Sequence, residues 1–237
     1  MLMTGAPLDL IKVVAAVLML GDHINSALVD PPALQVWQFG RIAFPLFCFV
    51  LASHLAGGMD TRTHVVRLLV FGALTQPIFT AAFPWSPREA NVLFTLAAGA
   101  ALARALAGRP SWLQHSAFAL GAAVILSGPT LARTGVDFGL SGILFPAALM
   151  LLLQGRWMHG LWVVVLLFGL NYGAKRPGEE PLVLGASLDA VYAGLGSLCV
   201  IACAAALSGR GRFLPRYALY AFYPGHLLGL ALWRAWA

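Results

Sequence analysis

Asp22, His23 and Asn25 lie close together in LMLGDHINSAL, a stretch that otherwise reads as lipid-facing helix. Polar groups at membrane depth cost several kcal/mol each unless partnered. A chain keeps them there for packing, for a transport path or for chemistry. The chemistry an imidazole offers is proton exchange near neutral pH, the work of a general base. His226, in YALYAFYPGHLLGL, poses the same question near the other end of the chain. Arg41, Gln76, Asn91 and Asp137 interrupt or open apolar runs in between.

Positioning such residues is the task of membrane helices. The 237 residues are 60% hydrophobic and 10% charged, with mean hydropathy +0.82, against about 25% charged residues in soluble domains. This composition predicts a polytopic all-α membrane protein, one bundle over residues 1–237. The net charge of +6 is scattered through loops; it reports topology and argues against nucleic acid as a partner. The first apolar segment lacks the basic head of a signal peptide and reads as retained. A span takes about 20 apolar residues. That rule predicts about nine spans, near 8–29, 37–57, 63–83, 90–107, 112–132, 137–154, 157–173, 184–207 and 214–235.

With the N-terminus in the cytoplasm, Arg62, Arg67, Arg104, Arg109, Arg156, Arg210, Arg212 and Arg216 fall inside. Arg41, Arg88, Arg133, Lys175, Arg176 and Arg234 fall outside, leaving a small inner majority of the expected sign. Helical rise then puts His23 about 20 Å beyond Asp9 and His226 about 18 Å beyond Leu214. Gln76 and Pro77 reach similar depth, and Arg41, Asn91 and Asp137 open spans that start from outside. The six polar residues, His23, Arg41, Gln76, Asn91, Asp137 and His226, come from six different spans and are expected to share one layer of the outer half. On the first helix, Lys12 and His23 lie within about 20° of one another. Asp9 can pair with Lys12 at i, i+3. Asp22 lies about 100° from His23, so its partner must come from another span.

In the last span Tyr217, Tyr220, Tyr223 and His226 recur at every third residue, and Pro224 is expected to kink the helix beside His226. The tyrosines also suit interface anchoring. His54, His64, His115 and His159 sit near span ends, where an imidazole reaches water, and no role is expected of them. Arg104 and Arg109 read as topology signals. Cys48, Cys199 and Cys203 fall in apolar runs and read as small core residues. No metal-ligand spacing such as HExxH occurs, so no metal is expected.

With these residues in view, the chain resembles the TraX family, membrane proteins linked to N-terminal acetylation of conjugative pilin. LDLIKVVAAVLMLGDHI resembles the family's first span, and GRIAFPLFCFVLASH its GRxAFPxFxF second span. TRTHVVRLLVFGALTQPIF, with Arg67, Gln76 and Pro77, is similar to its third. NVLFTLAAG and VDFGLSGIL fall where the family has an LNxxFTLxxG and a YGxxGV segment. SGRGR followed by RYALYAFYPGHLLGL looks like its last block, the most specific of all. Ser208, Phe138 and Gly225 depart from the usual Asn, Tyr and Ala; none removes a candidate catalytic group. A weaker similarity, to acyltransferase-3 proteins, rests on the spacing of Lys12 and His23.

The resemblance implies acetyl transfer from acetyl-CoA to the N-terminal amine of a pilin-like secreted protein, at the bacterial inner membrane. An α-amino group with pKa near 8 is an easier nucleophile than lysine. On this reading His23 takes the amine proton, and His226 shares that role or donates to the thioester oxygen. Arg41, with Asp22 nearby, stabilises the oxyanion, and Tyr223 protonates the leaving thiolate. Gln76, Asn91 and Asp137 line the substrate site. Arg67, Arg210 and Arg212, with Lys12, meet the donor phosphates. Three other readings stay open: acetylation of a glycan hydroxyl, a rhomboid-like protease using Ser141 (GLSG) with His226 (GHLLG), and a transporter.

Overall fold

The computed structural model describes residues 3–84, 89–128, 135–172 and 183–236. Arg88, Arg133, Lys175 and Arg176, used above to orient the chain, lie outside them. The described residues form an all-α membrane bundle: α1 (Ala6–Leu28), α2 (Leu34–Gly40), α3 (Ala43–Ala56), α4 (Thr61–Ala82) and α5 (Val92–Ala107), then α6 (Ser111–Ser127), α7 (Gly139–Leu153), α8 (His159–Asn171), α9 (Val183–Ala205) and α10 (Ala218–Trp236).

Local chemistry sets the boundaries. Pro7 occupies the first turn of α1, where its missing N–H is no loss, and Asp9 meets the positive end of the helix dipole. The carboxylate of Asp60 caps α4 by accepting from the amide of Arg62 at 3.1 Å. Asn91 caps α5 by accepting from the amide of Leu93 at 3.1 Å. The predicted span 37–57 falls on one apolar run, Leu34–Ala56, that a single turn at Arg41–Ile42, both residues still right-handed, divides into α2 and α3. Before α7, Phe138 adopts φ 60°, a left-handed conformation unfavourable for an aromatic residue. Its ring stacks on Phe44 with centroids 4.0 Å apart.

α7 is the central post, packed against α3, α5, α6 and α8. Lipid tails are as apolar as leucine, so close packing rather than water exclusion holds such helices together. Small residues make this possible. Ala97 and Ala100 of α5 and Ala147 and Ala148 of α7 are buried in one core, and a Cβ on Gly99 would lie 2.9 Å from Pro146 and 3.0 Å from the Ile143 carbonyl oxygen. Around the post, α1 packs on α2, α3, α9 and α10, while α4 joins α5 to α10.

By length and composition, Leu34–Ala56, Thr61–Ala82 and Gly185–Ala205 can cross a membrane. Val92–Ala107, Gly139–Leu153 and His159–Asn171 are shorter apolar helices. Pro224 lies inside α10, which runs unbroken through it, so the expected kink does not interrupt the helix. Cys48 is buried, but Cys199 and Cys203 are exposed. They sit at i, i+4 on the outward face of α9, beside exposed Leu195 and Leu198, and are not core residues.

Candidate functional site

α1 and α10 bring His23 and His226 together. His23 Nδ1 lies 2.8 Å from His226 Nε2, and His226 Nδ1 lies 3.0 Å from the carbonyl oxygen of Phe222, one turn back on α10. That carbonyl only accepts, so His226 Nδ1 carries a proton. In the neutral pair His226 Nε2 is then an acceptor and His23 Nδ1 donates to it. The chain of bonds ends with the lone pair on His23 Nε2. The Phe222 carbonyl is not the one Pro224 releases, which belongs to Tyr220 four residues earlier. Phe83 packs edge-on to His23 at 5.0 Å between centroids, and Tyr223 edge-on to His226 at 5.5 Å.

The partner expected for Asp22 on another span is Arg41, whose Nη2 donates to Asp22 Oδ2 at 2.8 Å. The turn after α2 presents Arg41 to α1, and Gly40 permits the approach: a Cβ there would fall 2.5 Å from Asp22 Cβ. Arg41 also lies 4.6 Å above the Trp37 ring. Two buried atoms of this pair, Asp22 Oδ1 and Arg41 Nε, have no hydrogen-bond partner among the described residues.

Two cavities meet this layer. A small one of about 160 Å³ is lined by Asp22, His23, Ser26, Arg41 and Asp137. Asp137 is brought there by a bridge between Ala90 and Val136 and by Thr95, whose hydroxyl donates to the Asp137 carbonyl at 2.7 Å. A large cavity of about 910 Å³ opens toward the basic end of the bundle, with Lys12, Arg67, Arg212, Arg216, Tyr220 and Tyr223 in its wall. Its volume is at the upper end of small-molecule sites, about 300–1,000 Å³. Met19, Phe47 and Val92 line both cavities.

The wall of the large cavity is organised by Asp9, which is 0% exposed. Asp9 accepts from Lys12 Nζ at 2.9 Å, as its i, i+3 spacing predicts, and from the amides of Phe213 and Leu214 at 3.1 and 3.0 Å. Arg212 Nε stands 3.7 Å from the same carboxylate. Lys12 and Arg212 therefore face the cavity already partnered, whereas Arg67 has no carboxylate partner among the described residues.

The remaining candidates lie elsewhere. Gln76 and Asn91 bond each other, Asn91 Nδ2 donating to Gln76 Oε1 at 2.9 Å, and line neither cavity; they tie α4 to α5. Arg210 is exposed, and its bonds are made by its backbone, the carbonyl accepting from the amide of Ala6 at 3.2 Å and the amide donating to the Leu207 carbonyl at 3.1 Å. Ser141 is 1% exposed and packs on α8, where a Cβ on Gly169 would come 2.6 Å from its hydroxyl oxygen. With both ring nitrogens of His226 engaged elsewhere, no Ser141–His226 dyad exists. His159 is buried rather than near water, and His54 and His64 line the large cavity. The shared wall residues Met19 and Phe47 were not singled out from sequence. Their one signal is that Met19 stands seven residues after Lys12 and four before His23, on the same stripe of α1.

A model of the family described as TraX protein matches residues 7–234. Protein TraX of Escherichia coli is 36% identical over 143 residues, 59% of this chain and 53% of the relative. Protein TraX of Escherichia coli strain K12 is 34% identical over 144 residues, with the same coverage. The chain spans about half the length of these curated relatives. No solved structure matches it. The family match runs from α1 to α10 and takes in both histidines, Arg41, the wall of the small cavity and all of the large cavity's wall but Met3, Thr4 and Gly5, and the chain belongs to the TraX family.

Proposed function

We propose that the chain is a multi-pass inner-membrane acetyltransferase that moves the acetyl group of acetyl-CoA to the N-terminal amine of a pilin-like secreted protein. The observation that carries this reading is the His23–His226–Phe222 chain of hydrogen bonds, which leaves an accepting lone pair on a residue that lines the small cavity.

The acceptor amine enters the small cavity and attacks the thioester carbon. Its proton passes to His23 Nε2, and the imidazolium is relieved by moving the Nδ1 proton onto His226. Both nitrogens of His226 are engaged, so it shares the base role instead of donating to the thioester oxygen. The unpartnered N–H on Arg41 Nε is the donor available for the oxyanion, while Asp22 holds the guanidinium in place. Tyr223, in the wall of the large cavity, stands where the thiolate leaves and supplies it a proton. Arg67 and Arg216, neither with a carboxylate partner among the described residues, meet the donor phosphates, with Lys12 and Arg212 as partnered neighbours. This makes the basic end cytosolic and the small cavity the outward-facing chamber, with membrane lipid around α4 and α9.

The test is incubation of the purified protein in liposomes with radiolabelled acetyl-CoA and bacterial membranes, wild type beside His23→Ala. Label on the N-terminus of a small membrane protein, lost in the variant, is the expected result. Label on glycan keeps the acyl transfer and changes the acceptor. No label in either sample overturns the reading.

A further inference from the structure

Three residues line both cavities, Met19, Phe47 and Val92, and the wall they form is apolar. Its position on α1 is between the two chemistries. One stripe of the helix carries Lys12 toward the large cavity, then Met19, then His23 toward the small one. The charged groups divide along the same line. Arg67, Arg212 and Arg216 stand on one side, and Asp22, Arg41 and Asp137 on the other. Among the residues of the wall Met19 alone is unbranched, with three rotatable bonds, so it can change shape more readily than Phe47 or Val92.

We infer that Met19, backed by Phe47 and Val92, is a movable partition that admits the neutral acyl group from the donor chamber to the acceptor chamber while keeping water off the thioester. The inference rests on the acetyl-transfer reading for its chemistry and on the shared wall for its geometry. With the partition in place, the carbonyl carbon meets only the amine: the C–N bond forms, the C–S bond breaks, the amine proton goes to His23 and the thiolate is protonated as it leaves. With the wall breached, water takes the place of the amine. Its oxygen bonds the carbonyl carbon, one proton goes to His23, the C–S bond breaks, and the products are acetate and CoA thiol.

Met19→Ala should raise acceptor-independent thiol release from acetyl-CoA about tenfold over wild type, and the volume-conserving Met19→Leu should restore the wild-type level. Unchanged release in a Met19→Ala protein that still acetylates its acceptor overturns the inference. Labelling reads the partition without any turnover. In a background with Cys48, Cys199 and Cys203 replaced by alanine, Ser26→Cys places a thiol in the small cavity. A charged, membrane-impermeant thiol reagent should reach it from the small-cavity face always, and from the basic face only when Met19→Ala is added. Labelling from the basic face at one rate whatever stands at position 19, or from neither face, overturns the partition. Wild-type protein that transfers no acetyl group while showing this labelling pattern sinks the acetyltransferase reading and leaves the partition standing.

Discussion

Two stacked histidine pairs lie in this bundle, and they differ in what they border. The rings of His23 and His226 are 5.1 Å apart and 20° from parallel; those of His115 and His159 are 4.6 Å apart and 18° from parallel. In the first pair the nitrogens bond each other, and the free lone pair belongs to a residue in a cavity wall. In the second each ring bonds a different neighbour. His115 Nδ1 accepts from the Trp162 indole at 2.8 Å, and His159 Nδ1 donates to the Arg156 carbonyl at 3.1 Å. His159 Nε2 is then buried without a partner among the described residues. Ring stacking is thus common to a structural joint and a candidate site; connection to space and a directed proton path separate them.

The largest expected effect tests this directly. His23→Ala and His226→Ala should each lower the initial rate of acetyl transfer by about 10²–10⁴-fold, while His115→Ala leaves it within a few-fold. Equal losses from both pairs break the distinction. Arg41→Leu should destabilise the protein by about 3–5 kcal/mol by leaving the buried Asp22 carboxylate without its counter-charge. The double variant Arg41→Leu, Asp22→Leu should recover most of this in detergent unfolding curves. Arg156→Leu, at the second pair, removes a 2.7 Å bond to Gln114 and should cost about 1.5–3 kcal/mol with little change in rate. Gly40→Ala drives a methyl group against Asp22 and should cost about 1–3 kcal/mol, with an added loss of rate because Arg41 is displaced.

The smallest effect concerns pH. The Thr63 hydroxyl, together with the amides of Thr63 and Arg62, holds the exposed Asp60 carboxyl below its ordinary value. A depressed native value means that its stabilisation is present above the ordinary carboxylate range and is lost as pH falls through the native value. Asp60→Asn should therefore flatten the acid end of the stability profile slightly and leave the profile of acetyl transfer unchanged.

Much of this was legible in sequence because membrane helices announce themselves by length and composition, and because helical phase is arithmetic. The pairing of Asp9 with Lys12 and the need of Asp22 for a partner on another helix both follow from 100° per residue. The identity of that partner does not, because it depends on a turn at Arg41–Ile42 inside a run that reads as one continuous span. The burial of His159 and the exposure of Cys199 were hidden for a related reason. α8 and α9 are apolar on nearly every face, so periodicity cannot tell the side facing protein from the side facing lipid. The donor direction between His23 and His226 needed a third atom, the Phe222 carbonyl, which only the fold supplies.

The central post and two of its neighbours are short, with a consequence for the surrounding lipid. α5, α7 and α8 have 16, 15 and 13 residues, or about 20–24 Å of helix at 1.5 Å per residue, against a hydrocarbon core of about 30 Å. A bilayer wrapped around such a waist thins locally or forces the bundle to tilt. Thinning brings the two aqueous phases closer on either side of the Met19 wall. Bilayers of progressively longer acyl chains should therefore slow the protein by stretching the crossing itself, with every catalytic group still in place.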